Sequence, residues 1–526
     1  MLLAALSQYA RTQPDQTALQ GPTTLNDSQL SNSSLSYAQL HMQISATATA
    51  LHATFASAPQ SPTIVPTIAI ALENHAAWVV VDLATIANKS PLVPLPAFFS
   101  IAQMRHAVLD AGVNALITDN PAHFEAIFSD MIVSTSTIEI ARKTLTLFRL
   151  SDFSGSDLLK PNQKLPADTT KITYTSGTTG SPKGVCLSMK AMLRVADSIR
   201  IATNLSTQDQ HLCILPLATL LENVAGVYAA LLAGATVHLL PADAVGLSGS
   251  TLNIQKMHAA LTQSQATTAI LIPELLRALI HYLEAGAAHL TALRFLAVGG
   301  ASVSPQLLQR AIPLKLPVFE GYGLSESASV VALNTLSANK IGSVGMPLPH
   351  VTLQFSSDNE VLVKGSNLLA YTGTESTETE EAEHGFIHTG DIGYMDEDGY
   401  LFINGRKKNI FITSFGRNVS PEWVERELTS SPYIAQACLF GEAKPWNTAL
   451  IVPQTHANTA QINAAIATIN QQLPDYASIS QWLPAAAPFS IANQQLTPNG
   501  RLKRDIIWQH YQTDINALYQ DSFNQD

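Results

Sequence analysis

Hydrophobic residues recur along the chain in two alternating rhythms. Short apolar runs of strand type occur at Pro66–Leu72 (PTIAIAL), 92–96 (LVPLP), Asn114–Thr118, His211–Leu217, Ala269–Pro273 and Leu293–Val298. Between them lie stretches with helical spacing, such as His75–Ala87 and 274–286 (ELLRALIHYLEAG), where apolar residues fall at i, i+3, i+4 and i+7. Strands alternating with helices of this length predict βαβ units and mostly parallel sheets. Near residue 340 the rhythm changes. The segments 343–365 (SVGMPLPHVTLQFSSDNEVLVKG) and 399–413 (GYLFINGRKKNIFIT) read as short strands separated by turn signals, a small barrel-like part. Beyond Arg406 the pattern predicts an α+β unit with helices at 421–431 and 504–518. The expected organisation is α/β: a large N-terminal domain, 1–404, of parallel βαβ subdomains plus the barrel-like part. A small α+β C-terminal domain, 405–526, follows a boundary on the turn at Asn404–Lys408.

Two stretches change the picture. Residues 223–242 carry no charge over a span long enough to cross a bilayer. Gly234 followed by Thr236 and Val237, with Pro241 closing the run, instead predicts a buried helix, turn and strand. Thr372–His384 (TGTESTETEEAEH) holds five glutamates and predicts a solvated, mobile loop. The N-terminal MLLAALSQYARTQPD lacks a basic start and reads as a first helix rather than a targeting signal.

Composition narrows the function classes. The chain has 526 residues, of which 46% are hydrophobic, excluding a disordered polymer. Lysine and arginine number 29 against 40 acidic residues, a net charge of −11 that argues against a nucleic-acid-gripping protein. Cys186, Cys213 and Cys438 are widely spaced and form neither a disulfide framework nor a zinc pattern, which predicts a reducing, cytoplasmic setting.

The most informative segment is Tyr174–Val185 (YTSGTTGSPKGV). Glycines let backbone N–H groups turn toward an anion, Ser and Thr hydroxyls add donors, and Lys183 supplies a point charge. A P-loop NTPase needs Gly-Lys-Ser/Thr in sequence. Here Ser181 and Pro182 separate Gly180 from Lys183, and no hydroxyl residue follows the lysine.

This segment closely resembles the phosphate loop of the adenylate-forming superfamily of acyl-CoA synthetases, luciferases and peptide-synthetase adenylation domains, with fatty acyl-CoA synthetases nearest in motifs. Further segments follow in that superfamily's order: 215–226 (LPLATLLENVAG), 298–305 (VGGASVSP), 319–328 (FEGYGLSESA), 342–349 (GSVGMPLP), 388–425 and 497–504 (TPNGRLKR). The resemblance implies ATP-dependent conversion of a carboxylate to an acyl-adenylate with loss of pyrophosphate, then transfer to a thiol. ATP, Mg²⁺ and CoA, or a carrier-protein phosphopantetheine, are the implied cofactors and co-substrates.

Carried over residue by residue, the resemblance implies that Thr175, Ser176, Gly177, Thr178, Thr179, Gly180 and Lys183 cradle the phosphates. Glu326 is implied as the magnesium-linked acid, with Ser325 standing where the superfamily has Thr. Gly300, Ala301, Gly321 and Tyr322 would line the adenine pocket, Asp391 would accept from the ribose hydroxyls, and Arg406 would contact ribose or phosphate. The resemblance also implies that the small C-terminal domain is mobile, with Lys408 at its hinge. Thr219, Glu222, Val224 and Gly226 would line the acyl slot, and Gly416 the pantetheine tunnel. The catalytic lysine expected after Gly500 is replaced by Arg501, a planar fork rather than a compact ammonium. Three readings stand: Arg501 does the work, Lys503 does it from the same face of an extended segment, or adenylation is crippled.

The expected activity is that of a medium- or long-chain fatty acyl-CoA synthetase. The alternatives are an acyl-AMP ligase loading an acyl carrier protein and a catalytically impaired acyl- or nucleotide-binding homologue. Implied partners are small molecules, with no nucleic acid, no membrane-crossing segment, peripheral membrane contact allowed, and a monomer or homodimer.

Overall fold

Among the described residues, two large sheets with parallel centres, one antiparallel sheet and a two-stranded pair at 247–252 build the chain up to Arg406. The computed structural model describes residues 1–22, 34–56, 65–151, 165–175, 182–248, 251–373, 381–382, 385–497 and 500–520. In the first sheet, Ile68–Ala71 lies parallel to Leu92–Pro94 and to Ala115–Thr118, and Leu92–Pro94 lies beside Thr169–Thr175. All four residues of Ile68–Ala71 and of Ala115–Thr118 are buried, as strands covered on both faces require. The second sheet is parallel from Val318–Leu324 through Phe295–Val298, Thr268–Leu271, Gln210–Cys213 and Thr236–Leu239 to Thr17–Gln20.

Helices cover these sheets with the stripes that the apolar spacing requires. Pro273–Glu284 buries Leu275, Leu276, Leu279, Ile280 and Leu283. The helix Ile101–Asp110 starts on a capping box in which the Ser100 and Gln103 side chains satisfy each other's backbone N–H groups. Hairpin Ile132–Ile140 with Lys143–Leu150 closes one edge of the first sheet. Its first strand is mostly exposed and polar, so it carries little periodic apolar signal.

The uncharged run at 223–242 is a buried helix, turn and strand, as its glycine and proline predict. A π-helix, Leu221–Tyr228, passes into Ala229–Ala233, ends on Gly234 in the left-handed conformation, and leads into Thr236–Leu239. Among the described residues, no helix is long and apolar enough to cross a membrane. The strand predicted over His211–Leu217 is shorter, Gln210–Cys213. The Asn74 side chain donates to the Leu215 carbonyl and accepts from the Leu217 N–H, which holds those residues as a turn around Pro216.

The expected barrel-like part is an antiparallel sheet. Thr352–Phe355, Glu360–Lys364, Phe386–Met395 and Glu381–Ala382 pair in that order, and Leu401–Arg406 adds to Phe386–Met395. The acidic run 372–384 lies mostly outside the described residues. The C-terminal part packs Pro421–Ser430, Thr459–Asn470 and Arg504–Gln520 around a three-stranded sheet of Ile434–Phe440, Asn447–Pro453 and Ile479–Pro484.

Among the described residues, the apolar clusters part near the turn at 404–408. One cluster reaches Leu401 and Ile403, and the next begins at Phe411. All three cysteines are free and buried.

Candidate active site

The two arms of the phosphate-loop segment are neighbouring antiparallel strands, Thr169–Thr175 and Lys183–Ser188, whose register sets Thr175 opposite Lys183. Ser176, Gly177, Thr178, Thr179 and Gly180 lie between them, outside the described residues. The Lys183 ammonium stands 5.4 Å from the centre of the Tyr371 ring, within cation–π range. The Tyr371 hydroxyl donates to Glu326 Oε1 at 3.1 Å.

Glu326 sits on a tight turn, Ser325–Ser327. Directly after it, Ala328 and Ser329 take φ angles of 57° and 121°. Such conformations cost backbone energy and persist only where the surroundings hold them. Gly323 makes the turn feasible: a Cβ there would lie 1.8 Å from the Ser329 carbonyl oxygen.

A second group forms on the antiparallel sheet. Strand register places Asp391 opposite Arg406, and the two form an ion pair of 2.9 Å. The Tyr322 hydroxyl donates to Asp391 Oδ2 at 2.6 Å. Burial pushes the Asp391 carboxyl up, against the pull of Arg406 and Tyr322. Each carboxylate oxygen has two lone pairs, so Asp391 can still accept from a ligand hydroxyl. A cavity of about 230 Å³ opens between Leu324, Glu326, Tyr371, His388, Thr389 and Arg406. Glu326 fits a hard divalent cation: it offers a carboxylate to a polar cavity large enough for phosphate oxygens and waters, the ligands Mg²⁺ retains.

The C-terminal part contributes Arg501. Its guanidinium donates to the Gly300 carbonyl, Nη2 to O at 3.2 Å, across the gap between the two parts of the chain. Gly300 has φ +86° and Gly500 φ +76°, so both ends of this contact use left-handed backbone that suits glycine. Desolvation in the cleft and the Arg406 charge push the Arg501 guanidinium down, while Asp391, Tyr322 and Glu326 draw it up. The Lys503 side chain makes no hydrogen bond to this group among the described residues. The Lys503 backbone N–H donates to Gln495, and the side chain makes no ion pair with a described residue.

Among the described residues, further polar contacts join the two parts, including ion pairs of Lys407 with Asp358 at 2.7 Å and with Glu360 at 3.0 Å. Arg277 donates to the Ala435 carbonyl at 3.1 Å, Gln306 to Glu427 at 3.0 Å, and Arg426 to Ser302 at 3.1 Å. Lys408 lies on the turn Lys407–Asn409, its ammonium pushed down by partial desolvation and by the Arg406 charge. Gly416 has φ +71° in the turn joining Phe411–Ile412 to Asn418–Val419. That turn makes its backbone bonds within the C-terminal part, Gly416 to Thr413 and Ser414 to Lys444. Gly321 packs closely on Leu333 of the neighbouring strand. Ala301 stands next to Gly300, half-buried.

The residues expected along an acyl slot divide. Thr219 is half-buried, whereas Glu222, Val224 and Gly226 are buried. Glu222 is not presented to a ligand. It bonds His211 Nε2 at 2.8 Å and accepts from the Leu215 N–H at 2.9 Å. A Cβ on Gly226 would lie 2.5 Å from both Glu222 Oε1 and His211 Nε2, so this glycine makes room for that pair. His211, Cys213 and Glu222 bring their donor atoms within 4.8 Å of one another. Thr268 holds the other His211 nitrogen at 2.9 Å and Glu222 holds both His211 and Leu215, so these groups are already spent on one another. The residue that motif reading missed is Tyr371. It lies in a weakly patterned stretch, and only the strand pairing brings it to Glu326.

The AMP-binding enzyme family model matches residues 6–366, and the model of the AMP-binding enzyme C-terminal domain matches residues 408–523. The chain is 27% identical over 532 aligned positions to the long-chain-fatty-acid–CoA ligase FadD15 of Mycobacterium bovis, covering 84% of this chain and 86% of the relative. Among solved structures, it is similar to o-succinylbenzoate coenzyme A synthetase (MenE) of Bacillus subtilis in complex with ATP and magnesium, with TM-score 0.72 and 22% identity, covering 95% and 98% of the two chains. It is also similar to the anthranilate CoA ligase AuaEII in complex with anthranoyl-AMP, with TM-score 0.76 and 15% identity over 97% and 96%.

Proposed function

The chain belongs to the AMP-binding enzyme family, the adenylate-forming acid–CoA ligases, and on that premise we propose that it activates a medium- or long-chain fatty acid and passes it to CoA. The acid's carboxylate attacks the α-phosphorus of ATP, the bond to the bridging oxygen breaks, and pyrophosphate leaves. The resulting mixed anhydride replaces an oxide leaving group with AMP. A thiol then attacks the acyl carbon and AMP departs, giving the thioester.

In this reading Tyr322, Asp391 and Arg406 hold the nucleoside, while Thr175 and Lys183 flank the phosphates together with the loop between them. Mg²⁺ bound at Glu326 would neutralise charge on the phosphate oxygens. Arg501 takes the part of the superfamily's C-terminal lysine, aiming its donors at the oxygens between acid and α-phosphate, where charge gathers in the transition state. Lys503 has no such part. The C-terminal part, from residue 405, turns about Lys408 between the two half-reactions, bringing Gly416 toward the thiol.

The observation that carries this reading is the reach of Arg501 to the Gly300 carbonyl, beside the Tyr322–Asp391–Arg406 group. The fatty-acid assignment draws on the likeness to FadD15.

Pyrophosphate exchange across straight-chain acids of increasing length, with benzoate-type acids as a second series and CoA present or absent, tests it. We expect exchange that rises with chain length without CoA, and acyl-CoA only with it. Preference for the aromatic series would reject the fatty substrate. Acyl transfer to a carrier protein alone would reject CoA.

A further inference from the structure

Tyr371 joins two parts of the phosphate-handling apparatus that come from distant stretches of sequence. Its strand, Ala370–Tyr371, lies antiparallel to Lys183–Ser188, with Tyr371 opposite Val185. The flanking backbone extends the attachment: Leu369 N–H donates to the Cys186 carbonyl and Thr372 N–H to the Gly184 carbonyl, each at 2.8 Å. The fit is close, because a Cβ on Gly184 would lie 2.7 Å from the Thr372 side chain and 2.9 Å from the Tyr174 ring. On the other side, Leu368 N–H donates to the Glu326 carbonyl at 2.6 Å. Residues 368–372 therefore form a strap from the phosphate-loop arm to the Glu326 turn. The Tyr371 side chain spans the same gap, with its hydroxyl on Glu326 Oε1 and its ring beside the Lys183 ammonium.

We infer that Tyr371 is a positioning residue for the Mg²⁺–ATP complex, orienting the Glu326 carboxylate toward the cation through its hydroxyl and steadying Lys183 through its ring. The inference rests on the reading of this cavity as the ATP site. A carboxylate turns easily about its last bond. A donor fixed on one oxygen sets that rotation and leaves the other oxygen for the metal, the part that residues behind metal ligands commonly play. The ring meanwhile offers the ammonium a π-face without neutralising it, so the charge stays available to phosphate.

The test measures binding rather than turnover. Calorimetric titration of a non-hydrolysable ATP analogue into the full chain, at a series of Mg²⁺ concentrations, gives the Mg²⁺ midpoint for nucleotide binding. Tyr371→Phe removes the hydroxyl and keeps the ring. We expect it to raise that midpoint about tenfold, the usual cost of losing a partner behind a metal ligand, while Mg²⁺-free nucleotide affinity stays as in the parent. The double variant Tyr371→Phe/Glu326→Gln should be no worse than Glu326→Gln alone, because the hydroxyl acts through that carboxylate. A parent-like midpoint in Tyr371→Phe beside a shifted one in Glu326→Gln would overturn the inference, as would shifts that multiply in the double variant. Absence of nucleotide binding in the parent would instead bring down the reading of the site, and the inference with it.

Discussion

Two polar junctions in this chain are built on opposite principles. The first lies inside the large domain, where Lys171, Asp82, Asn223 and Tyr228 meet in complete burial. Lys171 pairs with Asp82 at 2.9 Å. Asn223 and Tyr228 donate to the same carboxylate at 3.0 and 2.9 Å, and the ammonium lies near the rings of Trp78 and Tyr228. The second is the seam between the large domain and the C-terminal part, held by hydrogen bonds from Arg277, Gln306, Arg426 and Arg501, with no apolar cluster crossing it among the described residues. A closed network of buried charge has no second arrangement open to it, since every departure strands an ion. A seam of bonds that water can replace has little to lose on opening. The first junction ties the strand leading to Thr175 to the π-helix, and the second holds Arg501 against the large domain by hydrogen bonds to one carbonyl.

Breaking the first junction should have the largest effect. Lys171→Met leaves Asp82 buried without its countercharge and should lower stability by about 3–5 kcal/mol, read as a drop in the urea midpoint. Adding Asp82→Asn should recover part of that loss. Breaking the seam should act on chemistry and leave stability alone. Arg501→Ala is expected to slow acyl-adenylate formation about 100-fold, the usual scale for one transition-state donor, with an unchanged urea midpoint. Lys503→Ala should stay near the parent rate, and equal losses in the two variants would contradict the placement of Arg501.

Glu320 sharpens the contrast because it is buried in the large domain yet feels the charge of Arg426 across the seam. It is buried two residues before Tyr322, accepts from the Val303 N–H at 3.3 Å, and its other oxygen has no hydrogen bond among the described residues. Burial pushes it up to about 8, against the pull of Arg426 across the seam. Between about pH 5 and 8 Glu320 therefore keeps in the folded chain a proton that it loses in the unfolded chain, and its own contribution to stability falls as pH rises through that window. Glu320→Gln should flatten this slope in urea midpoints taken at pH 5.5 and 8. A slope that persists would assign it to other groups. The smallest effect belongs to Gln306→Ala, which removes one neutral donor from Glu427. At about 1 kcal/mol it should slow adenylation no more than about fivefold, with faster proteolysis near Lys408 as the independent sign of a looser seam.

How far the sequence was legible follows the same division. Runs such as Ile68–Ala71 and Ala115–Thr118 were readable because burial on both faces leaves an unbroken apolar signal. The helix Pro273–Glu284 was readable from its spacing and its N-terminal proline. The hairpin at 132–150 was not, because its first strand faces water. Nor was the π-helix, since an extra residue per turn leaves no composition mark. In the site, the motifs named Tyr322, Asp391 and Arg406, but that the tyrosine hydroxyl and the arginine share one carboxylate depends on strand register, which no motif encodes. Glu222 shows the converse error. Its place in a motif suggested a slot wall, and only the packing of Gly226 against His211 reveals it turned inward.

The burial of Cys186, Cys213 and Cys438 has a practical consequence. These are the chain's only thiols, so its exterior is silent toward maleimide dyes. A cysteine installed at Phe415, 74% exposed on the C-terminal part, and another at Ile312, 62% exposed on the large domain, would be the first to react. A fluorophore pair at those positions would turn opening of the seam into a change of colour, followed one molecule at a time as acid, ATP and thiol are added.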